Sequence, residues 1–114
     1  MKRVALYVPT VDNEGTLIES YLRKTVLDEV VSTFVRNFGG CSENELKGTY
    51  RTHLGRGGII SENVTEVHSF LPDEMGFEAK VHITELAKWV ATMLKQESVL
   101  VTVQDVASVD FITP

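Results

Sequence analysis

An apolar stripe with helical spacing constrains the fold of this chain more than any other feature. The stripe lies between Ser20 and Gly39, and its residues recur at intervals of three and four: Leu22, Val26, Leu27, Val30, Val31, Phe34, Val35 and Phe38. Charged and polar residues fill the other positions, so the pattern predicts an amphipathic helix with one buried face. Ser20 is the predicted N-cap, and Gly39, which readily adopts a left-handed conformation, is the predicted stop.

One strand is predicted before this helix and two after it. Residues 3–9 alternate in hydrophobicity, and Pro9 ends the strand because proline has no amide donor. Residues 46–53 and 59–71 are rich in residues that favour extended structure, and three glycines lie in the connection at 55–58. This arrangement predicts a β-hairpin.

The register of the hairpin follows from the centre of its turn. A tight connection centred on Arg56 predicts that Tyr50 lies opposite Glu62 and that Leu46 lies opposite Glu66. The glycines of this connection resemble a phosphate-binding loop only in composition, because such loops lead into a helix and this one leads into a strand. We therefore interpret the connection as a turn.

A second helix and a further strand complete the pattern. The helix begins near Asp73, and its predicted buried residues are Phe77, Val81, Leu86, Trp89, Val90, Met93 and Leu94. Residues 99–104 alternate as a strand, and residues 109–112 predict a short extra strand at the C-terminus.

The order β-α-β-β-α-β predicts an α+β, ferredoxin-like fold for residues 1–114 as a single domain. In this split β-α-β arrangement, two helices cover one face of a four-stranded antiparallel sheet. The other face is open, and such faces commonly become a ligand cleft or a dimer interface.

Charge and composition exclude several classes of partner. Eleven Lys and Arg residues against sixteen Asp and Glu residues give a net charge of −5, which argues against binding to nucleic-acid phosphates.

No stretch approaches the roughly 20 apolar residues of a membrane span. The apolar run after Lys2 and Arg3 ends at Pro9, too soon for a signal peptide, and Cys41 has no intramolecular disulfide partner. We therefore expect a cytoplasmic protein.

The residues with metal-binding or nucleophilic chemistry follow no pattern of a known site. His53, His68 and His82 have no compact ligand spacing with each other or with a carboxylate. Cys41 follows a helix C-terminus, where the negative end of the helix dipole raises the pKa of a thiol. We predict no metal and no other cofactor.

Polar residues on the hairpin are the best candidates for a ligand-binding site. Tyr50, Arg51, Glu62 and His68 lie on its two strands, and Gln96 precedes the last strand. A cation and a carboxylate on the open face could bind a small polar ligand or transfer protons. Cross-strand pairing on a solvated or dimeric surface is the alternative, and catalytic residues are not assigned.

Three short motifs resemble those of a family of small bacterial proteins with a domain of unknown function. They are Phe38-Gly39-Gly40 at the helix end, Gly48-Thr49-Tyr50 in a strand, and Gln96-Glu97-Ser98-Val99 before the last strand. Tyr50 stands where the family has Trp after the glycine. The resemblance implies the fold and one neighbourhood of Tyr50, Glu62 and Gln96, and it assigns no reaction.

Two functions are consistent with these observations. The first is a non-enzymatic ligand- or protein-binding module that forms a homodimer through its open sheet face. The second is a small cofactor-free enzyme, an isomerase, lyase or monooxygenase of the dimeric α+β barrel type, that acts on a small polar molecule.

Overall fold

The computed structural model describes residues 1–51 and 58–114, without the side chains of Tyr50 and Ile60. Its elements are β1 (Lys2–Val8), α1 (Ser20–Phe38), β2 (Ser42–Arg51), β3 (Ile59–Leu71), a 3-10 turn (Asp73–Met75), α2 (Gly76–Met93) and β4 (Val101–Asp105). The strands form an antiparallel sheet in the order β2-β3-β1-β4. The predicted ferredoxin-like α+β fold is confirmed.

Side-chain alternation divides the sheet into two faces, and the helices cover one of them. The buried core combines alternate residues of β1 and β3 with residues of both helices: Val4, Leu6, Val8, Val67, Leu71, Val26, Val30, Phe34, Ala79, Ile83, Leu86 and Val90. The intervening residues of β1 and β3 therefore point to the open face.

The chain beyond β4 departs from the predicted short extra strand. Residues 106–114 are not assigned as a strand, although the N–H of Val106 donates to the carbonyl of Met1 at 2.9 Å and extends the β1–β4 pairing. Phe111 and Ile112 are 78% and 86% exposed. Their hydrophobicity predicted a strand, but no neighbouring strand pairs with them within the described residues.

The buried stripe of α2 also differs from the prediction in part. Leu86 and Val90 are buried as predicted, whereas Phe77, Val81 and Met93 are exposed. Ala79 and Ile83 take their place, at a spacing of four residues. Phe77 precedes Ala79 by two residues, about 200° around the helix, and it therefore points away from the core.

The N-terminus of α1 is capped by a residue other than the predicted one. The Glu19 carboxylate accepts hydrogen bonds from the amides of Tyr21 and Leu22 at 2.9 and 2.8 Å, and Ser20 is the first helical residue. The C-terminus ends as predicted, because Gly39 adopts a left-handed φ of 85°.

Substituting the two glycines after α1 should have different effects on stability. Gly39→Ala should lower the free energy of unfolding by about 1 kcal/mol, because the left-handed φ strains a residue with a Cβ. Gly40→Ala is the matched control, because a Cβ there would meet no described residue within 4 Å and φ is not positive. Urea denaturation measures both, and equal effects of the two substitutions would contradict the prediction.

The observed register of the hairpin differs from the predicted one by two residues. Glu62 lies opposite Gly48 rather than Tyr50, and Leu46 lies opposite Val64 rather than Glu66. The pairing is symmetric about residue 55 instead of 56, which moves every partner by two positions. Because side chains alternate with a period of two, this shift preserves which residues share a face. Residues 55–57 of the turn predicted at 55–58 lie outside the described residues.

Candidate functional site

A pocket of about 570 Å³ lies at the end of the open sheet face where β1 stops. Its walls are the loop after β1, strands β2 and β3, and the segment that joins α2 to β4. The lining residues are Tyr7, Pro9, Asp12, Asn13, Leu46, Lys47, Gly48, Arg51, Glu62, Val64, Gln96, Glu97, Ser98, Val99 and Leu100. Segments that lie far apart in the sequence therefore meet at this pocket.

The buried carboxylate of Glu62 fixes the loop that follows β1. Its Oε2 accepts hydrogen bonds from the backbone amides of Thr10 and Val11 at 2.9 and 2.7 Å. The Thr10 hydroxyl lies 3.1 Å from the same oxygen and 2.7 Å from the carbonyl of Asn63. Because β1 ends at Val8, the amides of the loop lack a strand partner, and the carboxylate satisfies them.

Gln96 holds the same loop from the other side. Its Nε2 donates to the carbonyls of Val11 at 2.7 Å and Leu94 at 3.0 Å. Glu62 and Gln96 therefore bind the amide and the carbonyl of one residue, Val11. The amide of Asn13 also donates to the carbonyl of Lys95 at 2.9 Å, so two connections of the fold are joined at the pocket wall.

Arg23 of α1 fixes the end of β1 from the helix-covered face. Its Nε donates to the carbonyl of Pro9 at 2.8 Å, and its Nη2 donates to the carbonyl of Val8 at 3.2 Å and to Thr65 Oγ1 at 2.8 Å. The junction between β1 and its loop is thus held from both faces of the sheet. This contact gives the pocket a preorganised wall.

A second polar cluster lies beside the pocket on the open face, around Glu66. The Glu66 carboxylate accepts hydrogen bonds from Arg3 Nη2 at 2.6 Å, Tyr7 OH at 2.8 Å and Asn44 Nδ2 at 3.3 Å. Burial favours the neutral acid, but the three hydrogen bonds and the Arg3 charge outweigh it and lower the pKa of Glu66. Burial and the Glu66 carboxylate raise the pKa of Tyr7, whose hydroxyl therefore remains a donor.

His68 belongs to this Glu66 cluster and not to the pocket. Its Nδ1 lies 3.0 Å from Glu66 Oε1 without forming a hydrogen bond to a described residue. His68 is not among the lining residues of the pocket. His68 and Glu62 lie on the same face of β3, six positions apart, and of the two only Glu62 lines the pocket.

The other predicted site residues have different outcomes. Glu62 and Gln96 meet at one pocket, and Arg51 lies at its rim. Arg51 is exposed, and strand alternation places it on the face opposite to that of Gly48, so it does not share the open face with Glu62. The side chain of Tyr50 lies outside the described residues.

Two residues that shape the site were not predicted from the sequence. Tyr7 lines the pocket and binds Glu66, and Arg23 fixes the end of β1. Tyr7 alternates with the buried Leu6 and Val8, and this alternation was the available indication that it faces the opposite side. Arg23 had no such indication, because it lies among other charged residues of a helix.

The remaining reactive residues lie elsewhere. Cys41 is half-buried. Burial is the larger cause that raises the pKa of its thiol, and the nearby Glu43 carboxylate raises it further. His82 is exposed on α2, and His53 lies outside the described residues. Within residues 1–51 and 58–114, no three His, Cys, Asp or Glu side chains are close enough to bind a metal ion. No helix in the same ranges combines the length and hydrophobicity of a membrane span.

Comparison with solved structures identifies proteins of similar fold. A phage SAM lyase in its apo state matches 90% of this chain and 78% of its own chain, with 18% identity and a TM-score of 0.62. A phage SAM lyase in complex with S-methyl-5′-thioadenosine matches 91% and 80%, with 20% identity and a TM-score of 0.63.

A variant of CutA1 from Pyrococcus horikoshii OT3 also matches, over 96% of this chain and 87% of its own, with 13% identity and a TM-score of 0.59. No protein-family model and no curated protein sequence matches the chain. At these identities, the structural likeness of this chain to the SAM lyase and CutA1 structures establishes the ferredoxin-like fold alone.

Proposed function

We propose that this protein is a small cofactor-free lyase that cleaves S-adenosylmethionine and releases S-methyl-5′-thioadenosine. The observation that carries the proposal is the preorganised pocket in which Glu62 and Gln96 are fixed through Val11. A lyase of the same fold binds S-methyl-5′-thioadenosine, which supports the choice of substrate. The proposal selects the lyase from the enzyme classes that the sequence allowed.

The charges at the pocket suit a cationic ligand. Glu62 lies on the open face and is only 7% exposed, so its charge is screened less than that of a surface carboxylate. Lys47 and Arg51 also line the pocket, but three carboxylates, those of Asp12, Glu62 and Glu97, outnumber these two cations. A sulfonium substrate that also carries an ammonium group would therefore meet a negative potential.

The apolar lining suits the remainder of such a substrate. The pocket residues with apolar or aromatic side chains are Tyr7, Pro9, Leu46, Val64, Val99 and Leu100. A volume of about 570 Å³ lies within the usual range for small-molecule sites. An adenosine group could bury its ring against this lining, while the charged groups lie near Glu62.

The chemistry requires binding and orientation more than proton transfer. The bond between sulfur and the four-carbon amino-acid chain breaks, its electron pair goes to sulfur, and the sulfonium charge disappears. The carboxylate oxygen of the substrate forms the new bond to the carbon that sulfur leaves, so the second product is homoserine lactone. Opposite charges neutralise each other during this step, and a pocket that excludes water and folds the chain for ring closure accelerates it.

A turnover assay tests the proposal. The protein is incubated with S-adenosylmethionine, and chromatography with mass detection follows S-methyl-5′-thioadenosine and homoserine lactone beside a protein-free control. We expect both products in equal amounts, at a rate proportional to protein concentration. A folded protein that forms neither product above the control would contradict the lyase function.

The binding module predicted from the sequence is the second candidate, because the same pocket could bind S-methyl-5′-thioadenosine without any reaction. Saturable binding without turnover would select it. The expected homodimer is also a proposal, supported by the exposed apolar side chains of Leu46 and Leu100, which line the pocket at the open face. Light scattering should then give twice the chain mass of 12.7 kDa, and a strict monomer would contradict it. The cytoplasmic location remains a prediction.

A further inference from the structure

Gly48 is a glycine that neither its backbone nor its packing requires. It lies inside β2, and its φ is not in the left-handed range that favours glycine. Among the described residues, a Cβ built on Gly48 would meet Val64 Cγ1 alone, at 3.8 Å, which is an ordinary van der Waals contact. Glycine weakens a strand because it adds backbone entropy to the unfolded chain and offers no side chain to pack.

The position of Gly48 in the pocket supplies a reason for this glycine. Gly48 lies directly opposite Glu62 in the β2–β3 pair, and both residues line the pocket. Directly opposed Cβ atoms in antiparallel strands are about 4.5–5.5 Å apart. Any side chain at position 48 would therefore stand beside the Glu62 carboxylate. A glycine inside a strand often marks a place where a ligand approaches the backbone closely.

We propose that Gly48 is a specificity-determining residue that leaves room for an adenosyl thioether against the bare backbone of β2. The inference rests on the proposed function, because the ligand is the product of the proposed lyase. It goes beyond the proposed function because it assigns the space beside Glu62 to the bound ligand. Leu46, the preceding residue on the same face, carries a large side chain, so the opening is local to Gly48.

Two substitutions of Gly48 test the inference through binding and stability together. Titration with S-methyl-5′-thioadenosine should show affinity about threefold weaker for Gly48→Ala and more than about tenfold weaker for Gly48→Val, because the added carbons occupy the ligand space. The melting temperature of both variants should be unchanged or higher, since alanine and valine suit a strand better than glycine. A purely structural role would instead lower binding and stability together.

Gly40→Ala is the control, because Gly40 lies outside the pocket lining and a Cβ there would contact none of the residues that the structure describes. It should bind S-methyl-5′-thioadenosine like the wild type. A Gly48→Val variant that binds like the wild type would overturn the inference. If Gly48→Val does not fold, Gly48→Ala provides the test. A Gly48→Ala variant that binds S-methyl-5′-thioadenosine as tightly as Gly40→Ala would then overturn the inference.

The wild type separates this inference from the proposed function. A wild type that binds S-methyl-5′-thioadenosine but does not cleave S-adenosylmethionine overturns the lyase function, and the Gly48 variants still decide whether position 48 sets the ligand space. A wild type that neither binds the thioether nor cleaves the sulfonium overturns both.

Discussion

Glu62→Gln should lower the turnover of S-adenosylmethionine at subsaturating substrate by about a hundredfold, through weaker substrate binding and without unfolding the protein. Glutamine keeps a side-chain oxygen that can accept the amides of Thr10 and Val11, so the loop retains most of its hydrogen bonds. The substitution removes the charge that the cationic substrate would contact. At about 4 Å and an effective dielectric constant near 20, such an attraction is about 4 kcal/mol before desolvation, and a net loss of about 2.7 kcal/mol corresponds to a factor of one hundred.

The control for this prediction is Glu43→Gln, which removes the same charge from an exposed position of β2 outside the pocket lining. The initial rate of S-methyl-5′-thioadenosine formation is measured for all three proteins, and circular dichroism verifies that each is folded. We expect the control to match the wild type. A Glu62→Gln variant that also matches it would show that the charge takes no part in the reaction.

Glu66→Ala should lower the free energy of unfolding by about 2–3 kcal/mol. Glu66 is 6% exposed and accepts hydrogen bonds from Arg3, Tyr7 and Asn44, and the substitution leaves the three donors without this acceptor. Removing one partner of a fully buried ion pair costs about 3–5 kcal/mol, and the partial exposure of Arg3 reduces this value. Denaturant unfolding of Glu66→Ala beside Glu43→Ala measures the difference. A loss no larger than that of the exposed control would contradict the structural role.

The lowered pKa of Glu66 also predicts the direction in which the stability of the protein changes with pH. A carboxyl whose folded-state pKa lies below its unfolded value stabilises the protein above the unfolded value and loses this contribution as pH falls through the folded value. The contribution of Glu66 should thus decline as pH falls below about 4.5, the ordinary value. Glu66→Gln should show a smaller loss of stability than the wild type between pH 6 and pH 3. Parallel pH profiles of the two proteins would contradict the prediction.

Local features of the fold were predictable from the sequence because they depend on neighbouring residues. The α1 stripe and the Gly39 stop are examples, since helical spacing and a left-handed glycine act within one or two turns. The register of the hairpin was not predictable in this way, because a one-residue error in the turn centre moves each partner by two residues. A shift of two still preserves strand alternation, so it does not change which residues of the two strands share a face.

The candidate site was only partly predictable because it depends on contacts between distant segments. The neighbourhood of Glu62 and Gln96 was expected, but the residue that joins them, Val11, lies in a loop whose path depends on the whole sheet. The role of Arg23 depends on the packing of α1 beneath β1. Gly48 became interpretable only once the register placed it opposite Glu62.

Two cavities of similar size offer a direct comparison for ligand binding. The pocket on the open face is about 570 Å³, and a groove between α1 and α2, lined in part by Thr25 and Trp89, is about 500 Å³. The proposed function assigns the adenosyl ligand to the open-face pocket. The groove therefore serves as an internal control for nonspecific binding.

Titration of the ¹⁵N-labelled protein with S-methyl-5′-thioadenosine, followed by amide chemical shifts, tests this assignment most directly. We expect saturable shifts that centre on Val11, Gly48, Glu62 and Gln96, while the amides of Thr25 and Trp89 remain unchanged. Shifts centred on the groove between the helices, or no saturable shift at millimolar ligand, would contradict the assignment.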